Sequence, residues 1–466
     1  MEILSDDILL IIGDYLDDHE DRYNAIFVNC RFNAAFSRVL HRSVTLKSRS
    51  QIQSFVKALM LHPHLIPVVR SLAVEDWRHE PEKPTLTRDE LAMFSLWASR
   101  YSHSADEHLR WEEDLCLGQE EAWIALLLSL VNNIKSLKLL WQTSSQYLET
   151  MFVRATTHQK PFDTRPAFHR LEKLSLSWLD ADDLAKGSFS DSQIRPFLRL
   201  PRLRRLSISS FVEYSPIIDR EDEDENEDVE QDTSQMNSSP ISELTLTSSN
   251  GAKGISKILA SCPSLRSFKY QHTDEHDTNG FHPSAFYQTL SQHKNSLETI
   301  WLDNFGVHNA FTATGLNETS DGWFGSFADF TALKELRIRL PNLLDIPYTL
   351  EPTTALIEVL PPHVESLYIE GCKENMLGML IRQLRSVLFA RRSRFKVLRR
   401  VDVEGFFHVD DEALDASGTD GSAGGFERVI KPAVYEMAQP LKDACVDSGV
   451  HLFLHDRACL QTLVGE

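Results

Sequence analysis

Apolar residues recur along this chain in one spacing, apolar-x-x-apolar-x-apolar. Nine copies begin at Ile134, Leu171, Leu203, Ile241, Leu265, Leu297, Leu333, Val364 and Leu398. A tenth, Val69-Arg70-Ser71-Leu72-Ala73-Val74, precedes the run and stands apart from it. The intervals are 31 to 38 residues, apart from one of 24. The last positions of each copy alternate as a strand does, with the apolar side chains on one face. A unit of this size cannot bury its own apolar edge, so such units must stack on their neighbours. The pattern predicts a solenoid.

The punctuation agrees. Pro67, Pro201, Pro263 and Pro362 each lie two residues before the first apolar position of a copy. Proline cannot continue a helix and biases the preceding residue towards extended geometry. Helical spacing comes just upstream, in Ile255, Ile258 and Leu259 before Pro263, and in Ala355, Leu356 and Val359 before Pro361-Pro362. Each unit therefore reads as helix, stop, short strand. These residues resemble leucine-rich repeats of the long-period kind, over roughly residues 65–455. The resemblance implies an α/β solenoid, an irregular horseshoe with helices on its convex side. The family's Asn or Cys three positions past the last strand leucine is matched clearly only by Cys372, so the turns are expected to vary.

The first residues have another character. Ser5 is suited to cap a helix, Asp6 and Asp7 suit its positive end, and Ile8, Ile11, Ile12, Tyr15 and Leu16 follow at helical spacing. An acidic loop, Asp17 to Asp21, separates this from Ala25-Ile26-Phe27-Val28, and Phe32, Phe36, Val39 and Leu40 make a third apolar run. Three short helices are too small for a stable core of their own. Such a segment needs a partner.

In order and spacing this segment resembles an F-box. The matching positions are Leu4, Asp7, Ile8, Ile12, Leu16, Val28, Phe32 and Leu40, including the family's Val-x-x-x-Phe step. The family usually has Leu-Pro followed soon by Glu, where this chain has Leu4-Ser5 and Asp7. The resemblance implies a substrate receptor of a Skp–cullin–F-box ubiquitin ligase. Those eight residues would grip the Skp adaptor, cullin would join through it, and the repeats would hold the protein to be ubiquitinated. Such a subunit is not itself an enzyme and needs no cofactor; it raises the effective concentration of substrate near a conjugating enzyme. The alternative is a repeat-based scaffold whose first helices only cap the solenoid. The expected domains are an F-box-like helical domain over 1–46 and a solenoid over 47–466. Within the solenoid the sequence predicts an insertion at about 76–130, an acidic disordered loop at about 215–240 and an exposed loop at about 413–426. The insertion reads as two helices, Leu86–Trp97 and Glu120–Leu130, with Trp77, Trp97, Trp111 and Trp123 as packing residues.

In each copy the residue between the last two apolar positions points away from the core, into the concave face. That position reads Ala73, Lys138, Ser175, Ser207, Thr245, Lys269, Trp301, Arg337, Tyr368 and Asp402. With strands about 4.8 Å apart, Lys269, Trp301, Arg337 and Tyr368 become a ladder of alternating cations and aromatics. Trp, Tyr and Arg dominate binding hot spots, and the four residues, joined by Arg400, form the candidate substrate site. The alternative is that they stack among themselves for stability. A basic run, Arg382, Arg385, Arg391, Arg392, Arg394, Lys396, Arg399 and Arg400, reads either as a solvated face or as an acid-reading patch beside the groove.

Charge and composition narrow the classes. The formal net charge is −20, of which residues 219–232 carry −9 and the rest −11, which argues against nucleic acid as the main partner. No apolar run is long enough to cross a bilayer, so no membrane is expected. The N-terminus has no secretory signal pattern, and six scattered cysteines form no C-x-x-C pair, so reduced thiols in the cytoplasm or nucleus are expected. On that ground the sequons at Asn237 and Asn317 carry no weight. No hydrolase elbow, zinc-protease motif, P-loop or dinucleotide fingerprint is present, and the His residues have no metal-ligand spacing. Asp182-Asp183 is an adjacent pair in a polar segment.

Overall fold

The computed structural model describes residues 5–16, 18–75, 86–141, 146–164, 166–178, 187–213, 239–251, 253–272, 281–303, 322–346, 351–408 and 430–456. Leu4, Trp77, Asp182-Asp183, the sequons, the acidic stretch 219–232 and the loop 413–426 lie outside them. The chain divides into two compact units, Met1–Ile208 with Ser239–Ile241, and Ser209–Ser238 with Ser242–Glu466.

The first unit begins with three helices, α1 (Asp6–Tyr15), α2 (His19–Ala25) and α3 (Cys30–Leu40). Each starts at a side-chain cap. Ser5 accepts from the Ile8 amide, Asp18 from Glu20, and Asn29 from Arg31 and Phe32. These bonds satisfy amides that a helix end leaves without partners. Leu9, Ala35 and Phe36 form a small core, with Leu10, Leu16, Ala25, Ile26 and Phe32 packed on it. Gly13 lets α1 approach α3, since a Cβ there would lie 2.8 Å from a Val39 methyl.

Five parallel strands follow in chain order: β1 (Ser43–Leu46), β2 (Ser71–Val74), β3 (Ser136–Trp141), β4 (Lys173–Trp178) and β5 (Arg205–Ser209), of which Arg205–Ile208 lies in this unit. The register Ser71–Ser136–Lys173–Arg205 aligns the repeat motifs position for position. Leu72, Leu137, Leu174 and Leu206 consequently form one buried column. Two expectations change here. The copy at Val69 pairs directly with β3, so it belongs to the run rather than standing apart. The first strand, β1, lies within the range 1–46 assigned to the helical domain. His41-Arg42-Ser43-Val44-Thr45-Leu46 lacks the first apolar residue of the motif, which hid the strand from the pattern.

Among the described residues this unit also holds helices α4 (Arg49–Leu61), α5 (Arg88–Tyr101), α6 (Ala105–Leu117), α7 (Glu120–Leu130), α8 (Gln146–Thr156) and α9 (Asp191–Leu198). Between β2 and β3, α7 packs between α4 and α8 and is the repeat's own helix. The insertion is therefore α5 and α6, and α6 was not legible as a separate helix. Phe94 of α5 meets Trp123 edge-on at 4.9 Å, and Trp111 of α6 lies 4.4 Å from Tyr147. The tryptophans pack as expected, Trp111 and Trp123 buried and Trp97 half-buried. A second aromatic cluster, Trp141, Phe152, Phe168, Phe189 and Phe197, fills the space under β3 and β4.

The second unit carries β6 (Glu243–Ser249), β7 (Ser267–His272), β8 (Thr299–Asp303), β9 (Glu335–Arg339), β10 (Ser366–Cys372), β11 (Arg400–Gly405) and β12 (His451–Asp456), parallel and paired in order. Its helices among the described residues are α10 (Ser256–Ala260), α11 (Pro283–Leu290), α12 (Leu340–Leu343), α13 (Leu356–Val359), α14 (Glu374–Phe389) and α15 (Pro432–Ser448). Among its described residues the 24-residue interval holds one helix, the five-residue α10. In the copy leading into β9, the described residues 323–334 hold no helix. Its described stretch places Phe324, Phe327 and Phe330 as mutually packed rings in the core instead. Three large side chains at that spacing supply the apolar surface that an amphipathic helix supplies elsewhere.

One buried acid in the first unit gives a measurable consequence. Glu121, in the first turn of α7, is 7% exposed and accepts from the Leu148 amide at the start of α8. Burial pushes its carboxyl up to about 7 from the ordinary 4.5. An acid with a raised folded-state value binds its proton more tightly when folded, so folding meets no penalty below about pH 4.5 and a growing one through about pH 7. Glu121→Gln keeps the acceptor oxygen and cannot ionise. Relative to wild type it should gain about 3 kcal/mol between about pH 5 and about pH 8, read by urea denaturation at both. An equal difference at the two pH values would show that solvent or a cation reaches Glu121.

Candidate functional site

The groove is built by alternation along the strands of the second unit. Leu244, Phe268, Ile300, Leu336, Leu367 and Val401 are buried on one face. The next residue along each strand then lies on the opposite face, in the register Thr245–Lys269–Trp301–Arg337–Tyr368–Asp402. Within the second unit the expected positions from Thr245 to Asp402 therefore stand in one register, with Asp402 buried rather than open to the groove.

Its members touch. The Lys269 ammonium sits 3.6 Å from the Trp301 ring centre, and the Arg337 guanidinium lies 5.3 Å from Trp301 and 4.4 Å from Tyr368. Each cation meets the negative face of a ring, an attraction of about 0.5–1 kcal/mol where solvent reaches it. Arg400 lies over Phe453 at 4.5 Å rather than joining this stack. It holds Asp402 in two parallel hydrogen bonds of 2.6 and 2.8 Å. An open depression bordered by Thr299, Trp301, Lys334, Arg337, Tyr368 and Arg400 runs across the ladder. Along its rim Lys334 pairs with Glu298 at 2.7 Å and Arg399 approaches Glu365 at 4.0 Å. Exposed pairs of this kind contribute little to stability.

A second polar layer lies one step further along the strands. Arg337 hydrogen-bonds the wholly buried Glu370, and its other end is 3.9 Å from Glu404. The Tyr368 hydroxyl donates to Glu404 at 2.8 Å. Burial and the adjacent Glu404 carboxylate push the phenol above its ordinary range. His455 bonds Asp402 at 2.8 Å and its ring stacks on Tyr368. Burial pushes the Asp402 carboxyl up, but hydrogen bonds from His455 and Arg400 outweigh it and hold the group below the usual carboxylate range. At Gly371, φ is +65°, a left-handed conformation that glycine adopts without steric cost. Sequence reading missed this layer because it followed one column of positions. The column two residues on, Arg339, Glu370 and Glu404, was visible as a run of charges in the apolar-rich strands.

The ladder's arginine is therefore already engaged by buried acids. What remains for a ligand is the edge of Trp301, the Lys269 and Arg337 stems, and the charged rim. The basic run does not form one patch. Arg382 pairs with Glu351, Arg391 donates to the Leu398 carbonyl, and only Arg399 and Arg400 border the groove. Arg385, Arg392, Arg394 and Lys396 are exposed on the end of α14 and the turn after it. No group of three or more His, Cys, Asp or Glu among the described residues is placed to hold a metal ion.

The family model for leucine-rich repeat domains matches residues 163–427, more than half of the chain. The chain belongs to the leucine-rich repeat family. Its repeat fold is a protein-binding scaffold, and the ladder of this leucine-rich repeat protein falls inside the matched range. Comparison with curated proteins gives no match. Among the described residues no helix is long and apolar enough to cross a membrane.

The N-terminal helices precede the matched range and carry the other set of predicted contacts. Asp7, Ile8 and Ile12 are exposed on α1, and Val28 is exposed between α2 and α3. Leu16 and Phe32 instead pack on the small core, and Leu40 is half-buried. Ile11, Tyr15 and Phe27, which the family pattern did not single out, are exposed beside them.

The two polar layers predict a stability effect. Arg337→Met keeps the stem but removes the guanidinium that hydrogen-bonds the buried Glu370, and should cost about 3 kcal/mol in urea denaturation. Adding Glu370→Leu should recover most of the loss. An Arg337→Met protein as stable as wild type would mean that the buried acids are balanced elsewhere.

Proposed function

We propose that this leucine-rich repeat protein is the substrate-recognition subunit of a Skp–cullin–F-box ubiquitin ligase, without catalytic activity of its own and working in the cytoplasm or nucleus. The N-terminal helices bind the adaptor, and the groove at Lys269, Trp301, Arg337, Tyr368 and Arg400 takes the protein to be ubiquitinated. The observation that carries this reading is the surface of α1–α3. Ile8, Ile11 and Ile12 are 43%, 55% and 39% exposed, and Tyr15, Phe27 and Val28 are exposed as well. A segment of this size that leaves six large apolar side chains in water favours a protein partner. The second reading, a cap on the repeats, is supported by the stacking of His41 on Phe55 of α4. A cap alone, however, would cover its apolar residues against the repeats.

Co-purification with the Skp adaptor tests the proposal. Wild type is expected to carry adaptor at near-equal stoichiometry, and an Ile8→Asp, Ile12→Asp protein, still folded by circular dichroism, to lose it. Both positions are exposed, so the substitutions spare the core. A folded wild type that never carries adaptor would leave the cap reading. For a captured substrate, Trp301→Ala should weaken binding by about tenfold or more, and unchanged affinity would remove the groove from the proposal.

A further inference from the structure

The strand β12 ends the ladder of the second unit, and its outer edge has no partner strand among the described residues. Its core-facing residues show what is missing. Leu452 and Leu454 stand in register with Val401 and Val403, which are 1% and 0% exposed, yet both leucines are only half-buried. On the opposite face Phe453 is 42% exposed. An unpaired edge with apolar side chains on both faces is a template for another strand.

The sequence of this edge selects the strand. His451-Leu452-Phe453-Leu454-His455 reads the same in both directions about Phe453. An antiparallel pairing about Phe453 keeps every side chain on its own face, and the palindrome sets leucine opposite leucine and histidine opposite histidine. We infer that two copies of this chain associate through β12, with a two-fold axis passing at Phe453.

The backbone is oriented for this. The His451 amide donates to the Arg399 carbonyl, so residues 451, 453 and 455 direct their amide and carbonyl groups towards β11. The groups of Leu452 and Leu454 then point outward, and each leucine exchanges both hydrogen bonds with its opposite number in the second copy. Leu452 lies against Leu454 of the second copy on the core face, which continues the buried column across the axis. Phe453 meets its own copy at a non-hydrogen-bonded position, where Cα atoms are about 4.5 Å apart. The contact is isologous, so it closes at two copies and does not propagate into a fibre. The association leaves the N-terminal helices unused and is independent of adaptor binding.

Light scattering across a dilution series of the full chain is the test. Wild type is expected to approach twice 53.2 kDa on concentration. Phe453→Lys opposes two cations at the axis and should raise the dissociation constant by about tenfold or more, with an unchanged circular dichroism spectrum. Phe453→Cys places two thiols within disulfide reach, so mild oxidation should cross-link it into a dimer, against a wild-type control for the other cysteines. A wild type that stays monomeric throughout would overturn the inference, as would a dimer that keeps its affinity in Phe453→Lys and yields no cross-link. A monomer that dimerises only after removal of residues 457–466 would overturn it too, naming the chain's own last residues as the occupant of the edge.

Discussion

Parallel strand pairing in fixed register is the constraint on which the rest depends. It places residues some thirty positions apart within about 4.8 Å of each other, and it does so for every position of the motif at once. The leucines of successive copies then become a continuous buried column, which no single copy could form. The same register carries Lys269, Trp301, Arg337 and Tyr368 into contact on the other face. A slip of one residue in any strand would exchange the two faces, so the apolar column and the polar ladder enforce each other.

That register has an electrostatic consequence. Glu370, Asp402 and Glu404 are withdrawn from water, and a buried carboxylate is tolerated only when cations and hydrogen bonds compensate it. Arg337, Arg400, Tyr368 and His455 supply these. The groove floor is therefore a preorganised network rather than a set of independent side chains. Its cations are held in place by acids, so the surface suits recognition through shape, aromatic edges and the alternating rim more than capture of a bare anion.

The N-terminal helices follow a different logic. Their core is limited to a few residues around Leu9 and Phe36, and good capping fixes the helices without providing much buried surface. A short helix cannot turn every apolar residue inward when its partner helices are equally short. The outward residues on α1 and between α2 and α3 are the remainder.

The motif itself determined the solenoid, the phase of every strand from β2 to β11 and the members of the groove column, because a period-two strand in a repeating frame has only one way to hide its leucines. Helical spacing outside the motif also marked Ser5 as a cap. Tertiary structure alone decided what a linear pattern does not encode. The strand β1 lacks the leading leucine and shows only through its pairing with β2. Helix α7 belongs to a repeat, and α5 and α6 to an insertion, because of what each packs against. Arg337 is bound to Glu370 because the two strands are neighbours, although the residues are 33 apart in sequence. Similarly, Leu16 and Phe32 turned inward while Ile8, Ile12 and Val28 stayed outward. Helical spacing identifies an apolar face, but only the arrangement of all three helices fixes which part of that face the small core can cover.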